Sequence, residues 1–343
     1  MQRPRVAIIG AGIFGISCAL ELAETCQVIV YEQNSEIMRG GTYGSQRRHH
    51  YGYHYPRSPE TVRQCQVAKQ DFVDVWGAAI VYGFPAYYAI AKENSLTTAE
   101  QFFAFCEALK LPYEIGYPSE EFLDRSRVET CVKTEEPVYD YLRLRDLAKE
   151  KILSNPYIQI KLGNTVVGCK FSETGSAKII SAKAAGEVYR ESFDFVINAT
   201  YASHNVFCNW LGFIVSPLEF RLKELVIVEL PRPELLGVTV MDGPFVTIIP
   251  VGDGGRYYTL GDAKRSIHDI KIDADSPPWS RADIVAGRVS RFPEMQENNP
   301  FFIPIIKDVK YIQSIFFILP VIPNSNATDE RITSVTDHGR GCW

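Results

Sequence analysis

Long apolar runs are missing from this 343-residue chain. The longest, Ala78 to Ala91, is broken by Gly83 and Pro85, well short of the roughly 20 consecutive apolar residues a membrane-spanning helix needs. No run of Lys or Arg stands out and the net charge is −5, so a nucleic-acid footprint is absent. The eight cysteines lie singly, with no Cys-x-x-Cys pair and no histidine spaced to complete a zinc site. The sequence therefore predicts no metal, and reduced, mostly buried thiols in a cytoplasmic protein. Tryptophan is scarce, at 4 residues, but 18 Tyr and 19 Phe supply flat side chains for cores and pocket walls. With 46% hydrophobic and 22% charged residues, at a length of about two domains, this is an ordinary globular composition.

Arg3 and Arg5 ahead of Val6-Ala7-Ile8-Ile9 have the outline of a signal peptide, and Ile16-Ser17-Cys18 that of a lipoprotein box. Gly10, Gly12 and Gly15 interrupt any apolar helix there, and Glu21 and Glu24 follow. The same residues make better sense as a buried parallel strand over 5–9, a glycine turn, and a helix with Ile13, Ser17, Leu20 and Ala23 in phase. A second strand runs from Gln27 to Tyr31 and ends in Glu32. This is a dinucleotide-binding βαβ fingerprint in its required context. Gly10 permits the tight turn, Gly12 lets backbone approach a pyrophosphate, and Gly15 lets helix pack on strand. The helix N-terminus offers N–H groups and a positive dipole end to phosphate. Glu32 is placed to accept from an adenosine ribose, which disfavours a 2′-phosphate and hence NADP. Ile13, Phe14 and Gln33 flank these positions and are expected cofactor contacts.

FAD and NAD share this fingerprint. An NAD dehydrogenase continues with alternating strands and helices, whereas here a polar, aromatic- and glycine-rich segment runs from Gly40 to Pro59 and holds His49, His50 and His54, half of the six histidines. A helix follows, with Ser58 as cap, Pro59 at its first position, and Val62, Cys65, Ala68, Phe72 and Val75 as its apolar stripe.

Taken with the βαβ motif, this segment resembles the FAD-dependent oxidoreductases of the D-amino-acid-oxidase-like superfamily. Within it, His50-Tyr51-Gly52-Tyr53-His54-Tyr55-Pro56-Arg57-Ser58-Pro59 looks most like the His-x-Gly-x-Tyr-Tyr loop of L-2-hydroxyglutarate oxidases, and glycerol-3-phosphate dehydrogenases carry a related loop. The likeness spans most of the chain and is specific over residues 5–32, 45–66 and 160–205. It implies FAD as cofactor and an α/β fold: a Rossmann-type FAD-binding domain (1–82, 140–215 and 323–343) interleaved with an α+β substrate domain on an antiparallel sheet (83–139 and 216–322). Ile158-Gln159-Ile160 reads as a short parallel strand, followed by a meander over Val166–Cys169, Ala177–Ala182 and Glu187–Phe195. By resemblance, Val166 or Val167 contacts adenine through main chain, Ser45 lies at the cofactor, and Phe195 to Thr200 is the strand and turn that close over the dinucleotide, with Ala199 and Thr200 in contact. Tyr201 replaces the glycine common after that Ala-Thr pair.

In the substrate domain, Thr98 to Leu109 reads as a capped helix, and Leu222–Leu230, Phe245–Val251, Tyr257–Gly261 and Tyr311–Leu319 read as strands, with a hairpin turn at Gly252-Asp253-Gly254-Gly255. The resemblance makes this sheet a roof over the flavin. The segment from Ile332 to Trp343 resembles the family's last strand and glycine turn, which leads into a helix facing the flavin. The chain stops before that helix, and weaker retention of FAD is expected.

A flavin accepts a hydride, so the protein must take a proton from the attached oxygen or nitrogen, and a neutral histidine is the natural base near neutral pH. His50 and His54 are the candidates, with the resemblance favouring His50. Arg47 or Arg48 is expected to clamp a substrate carboxylate or face the flavin, and Tyr257, Tyr258, Arg265 and His268 are further substrate candidates. The expected reaction is hydride transfer from a small 2-hydroxy-acid-type CH–OH substrate to flavin, with oxygen or a quinone as acceptor. An amine or amino-acid oxidase, and a flavin-binding protein without turnover, remain open alternatives.

Overall fold

The computed structural model describes residues 3–343 except 253, 281, 282, 285, 286 and 332. Its first layer system is built on β1 (Arg5–Ile9) and β2 (Gln27–Glu32), which pair in parallel. Phe195–Asn198 adds beside β1 and Ile158–Leu162 beside β2, giving a four-stranded parallel sheet. The β-branched runs are buried on both faces. Val6, Ile8, Val28 and Val30 pack against helix α1 (Ile13–Leu22), Trp76, and Tyr141, Leu144 and Ala148 of the helix Tyr141–Leu153. Ala7, Ile9, Ile29 and Tyr31 point the other way, onto the three-stranded meander and Phe207. Helix Tyr141–Leu153 is an addition to the expected elements, although Asp140 caps it by accepting from Leu142 N and Arg143 N.

The second layer is a nine-stranded sheet that draws strands from 86–134 and from 218–321. It is antiparallel except where Ala86–Ala91 runs parallel to Gly237–Met241. Its two longest strands, Leu218–Glu229 and Lys310–Val321, lie side by side. Val246–Pro250 and Tyr257–Asp262 form the expected hairpin, whose turn residue Asp253 lies outside the described residues. The expected capping box closes helix Ala99–Ala108. Helix α2 (Pro59–Trp76) begins at the expected place, with Ser58 Oγ accepting from Thr61 N. The last residues lie along Phe195–Asn198: Val196 N donates to Gly341 O and Trp343 N to Val196 O, with Cys342 buried between them.

Candidate active site

Local sterics explain the glycine turn. Gly10 has φ +105°, and a Cβ there would stand 2.5 Å from the Ala199 carbonyl oxygen, so only glycine fits. A Cβ on Gly15 would stand 2.0 Å from Gly10 O. Gly12 differs: its φ is an ordinary −72°, and a Cβ at this position would find its nearest neighbour, Thr42 Oγ1, at 3.5 Å. Nothing in the chain demands glycine at 12, and the open backbone there is a cradle that a side chain would fill. Gly12 caps α1 without a side-chain bond, Ile13 N donates to Thr42 Oγ1 at 3.1 Å, and Phe14 is 63% exposed on the same turn. Glu32 is buried, accepting from Ala11 N at 2.9 Å and from the backbone and side-chain amides of Asn34. A carboxylate has about four acceptor positions, so one remains for a ribose hydroxyl. An open backbone, a helix end whose N-cap glycine makes no side-chain bond, and a buried acid fit the pyrophosphate and ribose of FAD.

The other expected cofactor residues come from separate segments of the chain. Ala199 N donates to Ile9 O at the end of β1, and Thr200 donates through both N and Oγ1 to Asn198 Oδ1. Val167 occupies a bulge between the pairs Gly168↔Ser181 and Val166↔Ala182, so its backbone is left out of the ladder. Val166 packs into the core, and Gln33 is exposed next to Glu32. Ser45 Oγ bonds Tyr139 OH and accepts from Arg47 N. Tyr201 takes a left-handed φ of +56°, the conformation that makes glycine common there, and its ring covers Gly41. Thr42 joins this turn through its bond to Ile13 N, and the sequence motifs do not mark it because it lies 29 residues beyond Ile13 in a loop without periodicity.

The histidine loop lies across one face of the large sheet, and Arg48 pins it there. This buried guanidinium donates through Nη2 to Thr239 Oγ1 at 2.7 Å and to Thr247 Oγ1, and through Nη1 to His54 Nδ1 at 3.2 Å. Arginine only donates, so Nδ1 of His54 is the acceptor and its proton sits on Nε2. Burial, then the charge of Arg48, hold the His54 pKa well below its usual value. His54 is thus neutral and presents a donor. His50 lies 5.9 Å from His54 between ring centroids, and its Nδ1 is 3.8 Å from Glu136 Oε1. Glu136 is buried and accepts from Tyr51 N at 2.6 Å and from Tyr88 OH. Burial works to raise its pKa, but His50, Arg48 and the Tyr88 bond outweigh burial and hold it below the usual value. The result is an ionised carboxylate behind His50. His49 is buried between Phe72 and Tyr51 with neither ring nitrogen bonded, and burial lowers its pKa to about 4. Arg47 is also buried, with φ +61°, its guanidinium 5.3 Å from the centre of the Tyr141 ring and Nη1 donating to Val251 O. Neither arginine stands as an open clamp.

The roof strand adds a residue that sequence reasoning missed. Along Leu218–Glu229, alternation puts Lys223 on the face that carries Leu225 and Ile227, which pack on Tyr43 of the loop and Phe317 of the neighbouring strand. Lys223 pairs across the sheet with Phe317, whose ring approaches Gly44 so closely that a Cβ there would lie 2.4 Å away. Burial first, then Arg221 and Arg331, lower the Lys223 pKa to about 8, against the opposing pull of Asp262. Arg331 and Lys223 are also among the charges depressing His54. The signal was present in the period-2 pattern of Arg221, Lys223 and Leu225. The other roof candidates lie elsewhere. Tyr257 is 40% exposed, and at roughly 3.3 Å per residue it is about 13 Å along the strand from Gly261, which meets the loop at Gln46. Tyr258 is buried with its hydroxyl on Glu234 O, Arg265 pairs with Asp262 at 3.0 Å, and His268 pairs with Glu224 at 2.8 Å on the opposite sheet face.

Residues 5–297 match the family model described as FAD dependent oxidoreductase, DAO. Among curated proteins, the FAD-dependent monooxygenase kojA of Aspergillus flavus is 36% identical over 95 residues, a match spanning 27% of this chain and 22% of that protein. Glycine oxidase from Geobacillus kaustophilus has a similar structure, with TM-score 0.72 and 15% identity over 100% of this chain and 88% of that one. The L-alpha-glycerophosphate oxidase of Mycoplasma pneumoniae, solved with FAD bound, gives 0.69 and 14% over 95% and 85%.

Proposed function

This chain belongs to the family of FAD-dependent oxidoreductases, and from that premise we propose that its substrate is a small anionic CH–OH compound of the 2-hydroxy-acid type. Gly10, Gly12 and Gly15 with the α1 N-terminus and Thr42 would hold the pyrophosphate, Glu32 the ribose, and the Ala199–Thr200 turn, Val166, Val167 and Ser45 the flanking parts. Bound FAD supplies a centre that accepts a hydride. The substrate domain in this reading is 83–139 with 216–322, and the cofactor domain is the remainder.

His50 is the base: it takes the hydroxyl proton while Glu136 steadies the imidazolium that forms. His54, fixed by Arg48 with its proton on Nε2, donates to the substrate oxygen and does not compete as a base. The substrate class rests on the positive field at His54, where Arg48 bonds Nδ1 and Arg331 and Lys223 add their charge at longer range. They favour an anion and repel an ammonium group, which speaks against an amine substrate. The roof sheet and the loop aromatics keep bulk water from the proton transfer. Oxygen or a quinone is the electron acceptor class. None of the described helices is long and apolar enough to cross a membrane, and the reading places the protein in the cytoplasm.

Binding of unreactive analogues to the FAD-loaded protein tests this reading through changes in the flavin spectrum. A 2-oxo acid should bind and a neutral or cationic amine should not. Lys223→Met should weaken the 2-oxo acid at least tenfold, since losing one partner of a buried ion pair costs about 2–5 kcal/mol. Preferential amine binding, or indifference to Lys223→Met, would refute it.

A further inference from the structure

His204 and Cys208 stand one turn apart on the helix His204–Leu211, which follows the Asn198–Thr200 turn. His338, from the C-terminal segment, meets them: its Nε2 lies 3.7 Å from Cys208 Sγ, and His204 Nε2 lies 3.5 Å from the same sulfur. All three ligand atoms fall within 4.8 Å of one another. A tetrahedral ion bound at about 2.3 Å to sulfur and about 2.0 Å to nitrogen sets each S···N pair about 3.5 Å apart. Both observed pairs match that spacing. A hydrogen-bonded trio would hold these atoms by two weak bonds, one ring donating to sulfur and the thiol donating to the other, whereas one ion binds all three ligand atoms at once. The rings are held by groups outside the cluster. Phe213 stacks on His338 at 4.4 Å and 3°, and Asn198 Nδ2 lies 3.1 Å from His204 Nδ1. Cys208 is buried while both histidines are half-buried, which leaves a path from solvent.

We propose that His204, Cys208 and His338 form a His₂Cys site for one zinc-class divalent ion, with water in the fourth position, clamping the C-terminal segment onto the helix behind the dinucleotide turn. This departs from the sequence expectation of no metal; the signal was the i, i+4 spacing of His204 and Cys208, and His338 joins only through the fold. Loading releases the Cys208 thiol proton to solvent as the thiolate–metal bond forms. The two imidazoles bind neutral through Nε2. The His204 ring proton then sits on Nδ1, which gives up its contact with Asn198 Nδ2, while that amide keeps its bond to His204 O and Asn198 Oδ1 keeps Thr200. Imidazole and thiolate together suit zinc or cobalt(II) over magnesium or calcium.

The test uses the full chain with FAD, stripped with a chelator and titrated with cobalt(II). One equivalent should produce a thiolate-to-cobalt charge-transfer band that zinc abolishes. Cys208→Ser should remove the band, and His338→Gln should weaken cobalt binding about tenfold or more, with the flavin spectrum reporting that each variant is folded. If Cys208→Ser fails to hold flavin, the half-buried His338→Gln carries the test. Absence of the band at one equivalent overturns the site. So does a band that survives Cys208→Ser, with seven other free cysteines available to bind cobalt nonspecifically, or unchanged affinity in His338→Gln.

Discussion

Replacing Gly12 with alanine should separate cofactor binding from folding, and Gly10 supplies the contrast. At position 12 the backbone is extended and the nearest neighbour of a new Cβ is 3.5 Å away, so Gly12→Ala costs the cofactor-free protein no more than about 1 kcal/mol, chiefly through a poorer helix cap. The methyl group does occupy the space through which phosphate oxygens must reach the α1 N–H groups. Losing one such charge-assisted bond costs about 1.5–3 kcal/mol, or roughly 10- to 150-fold in FAD affinity. At position 10, alanine meets a backbone oxygen at 2.5 Å with φ at +105°, and the strain alone is about 1–3 kcal/mol. Gly10→Ala should therefore lower the melting temperature with or without FAD. Thermal melts at fixed excess FAD distinguish the two cases. Saturation at 100 times Kd stabilises the parent by about 2.7 kcal/mol, and Gly12→Ala should lose about 1.3–2.4 kcal/mol of that increment while staying within about 1 kcal/mol of the parent without FAD. Affinity for FAD within threefold of the parent would remove Gly12 from the phosphate site.

His50→Asn should slow flavin reduction by about 10²–10⁴-fold while leaving substrate affinity near the parent value, and His54→Asn should cost much less; stopped-flow reduction showing equal losses would reverse the assignment. Arg48→Met leaves Thr239, Thr247 and His54 without their donor and should destabilise by about 1–3 kcal/mol, seen as a drop in melting temperature; a drop no greater than that of a surface arginine would contradict the pinning role. Substrate-anion affinity should fall as pH rises through about 8, where Lys223 loses its charge. Because the Lys223 pKa is depressed from 10.5 to about 8, the unfolded chain binds more protons between those values. The Lys223 contribution to stability therefore rises across that window as pH increases, and Lys223→Met should flatten both profiles in binding and melting experiments.

The parts of this protein legible in its sequence are those governed by contacts close along the chain. Gly10 and Gly15 constrain one another across a single turn, and Ser58 and Pro59 start α2 by bonds within one helical turn, so motif and cap place them. Glu136 is different. It reaches Tyr88 OH because the strand Val128–Thr134 pairs with Ala86–Ala91, and Tyr51 N because the histidine loop runs beside Pro137 and Val138, and nothing near it in sequence marks it out. Arg48 reads as a loop arginine available to substrate until the register of Thr239 against Thr247 shows two hydroxyls waiting for it. Lys223 lies between these cases, since alternation gives its face and only the loop packing gives its neighbours.

The most direct measurement is anaerobic mixing of the FAD-loaded protein with matched 2-hydroxy acids and 2-amino acids, following loss of the oxidised flavin absorbance. Bleaching by hydroxy acids, abolished in His50→Asn and requiring higher substrate concentration in Lys223→Met, is the predicted result. Bleaching by amino acids alone, or by neither class, would contradict the proposal of an anionic CH–OH substrate delivered to His50.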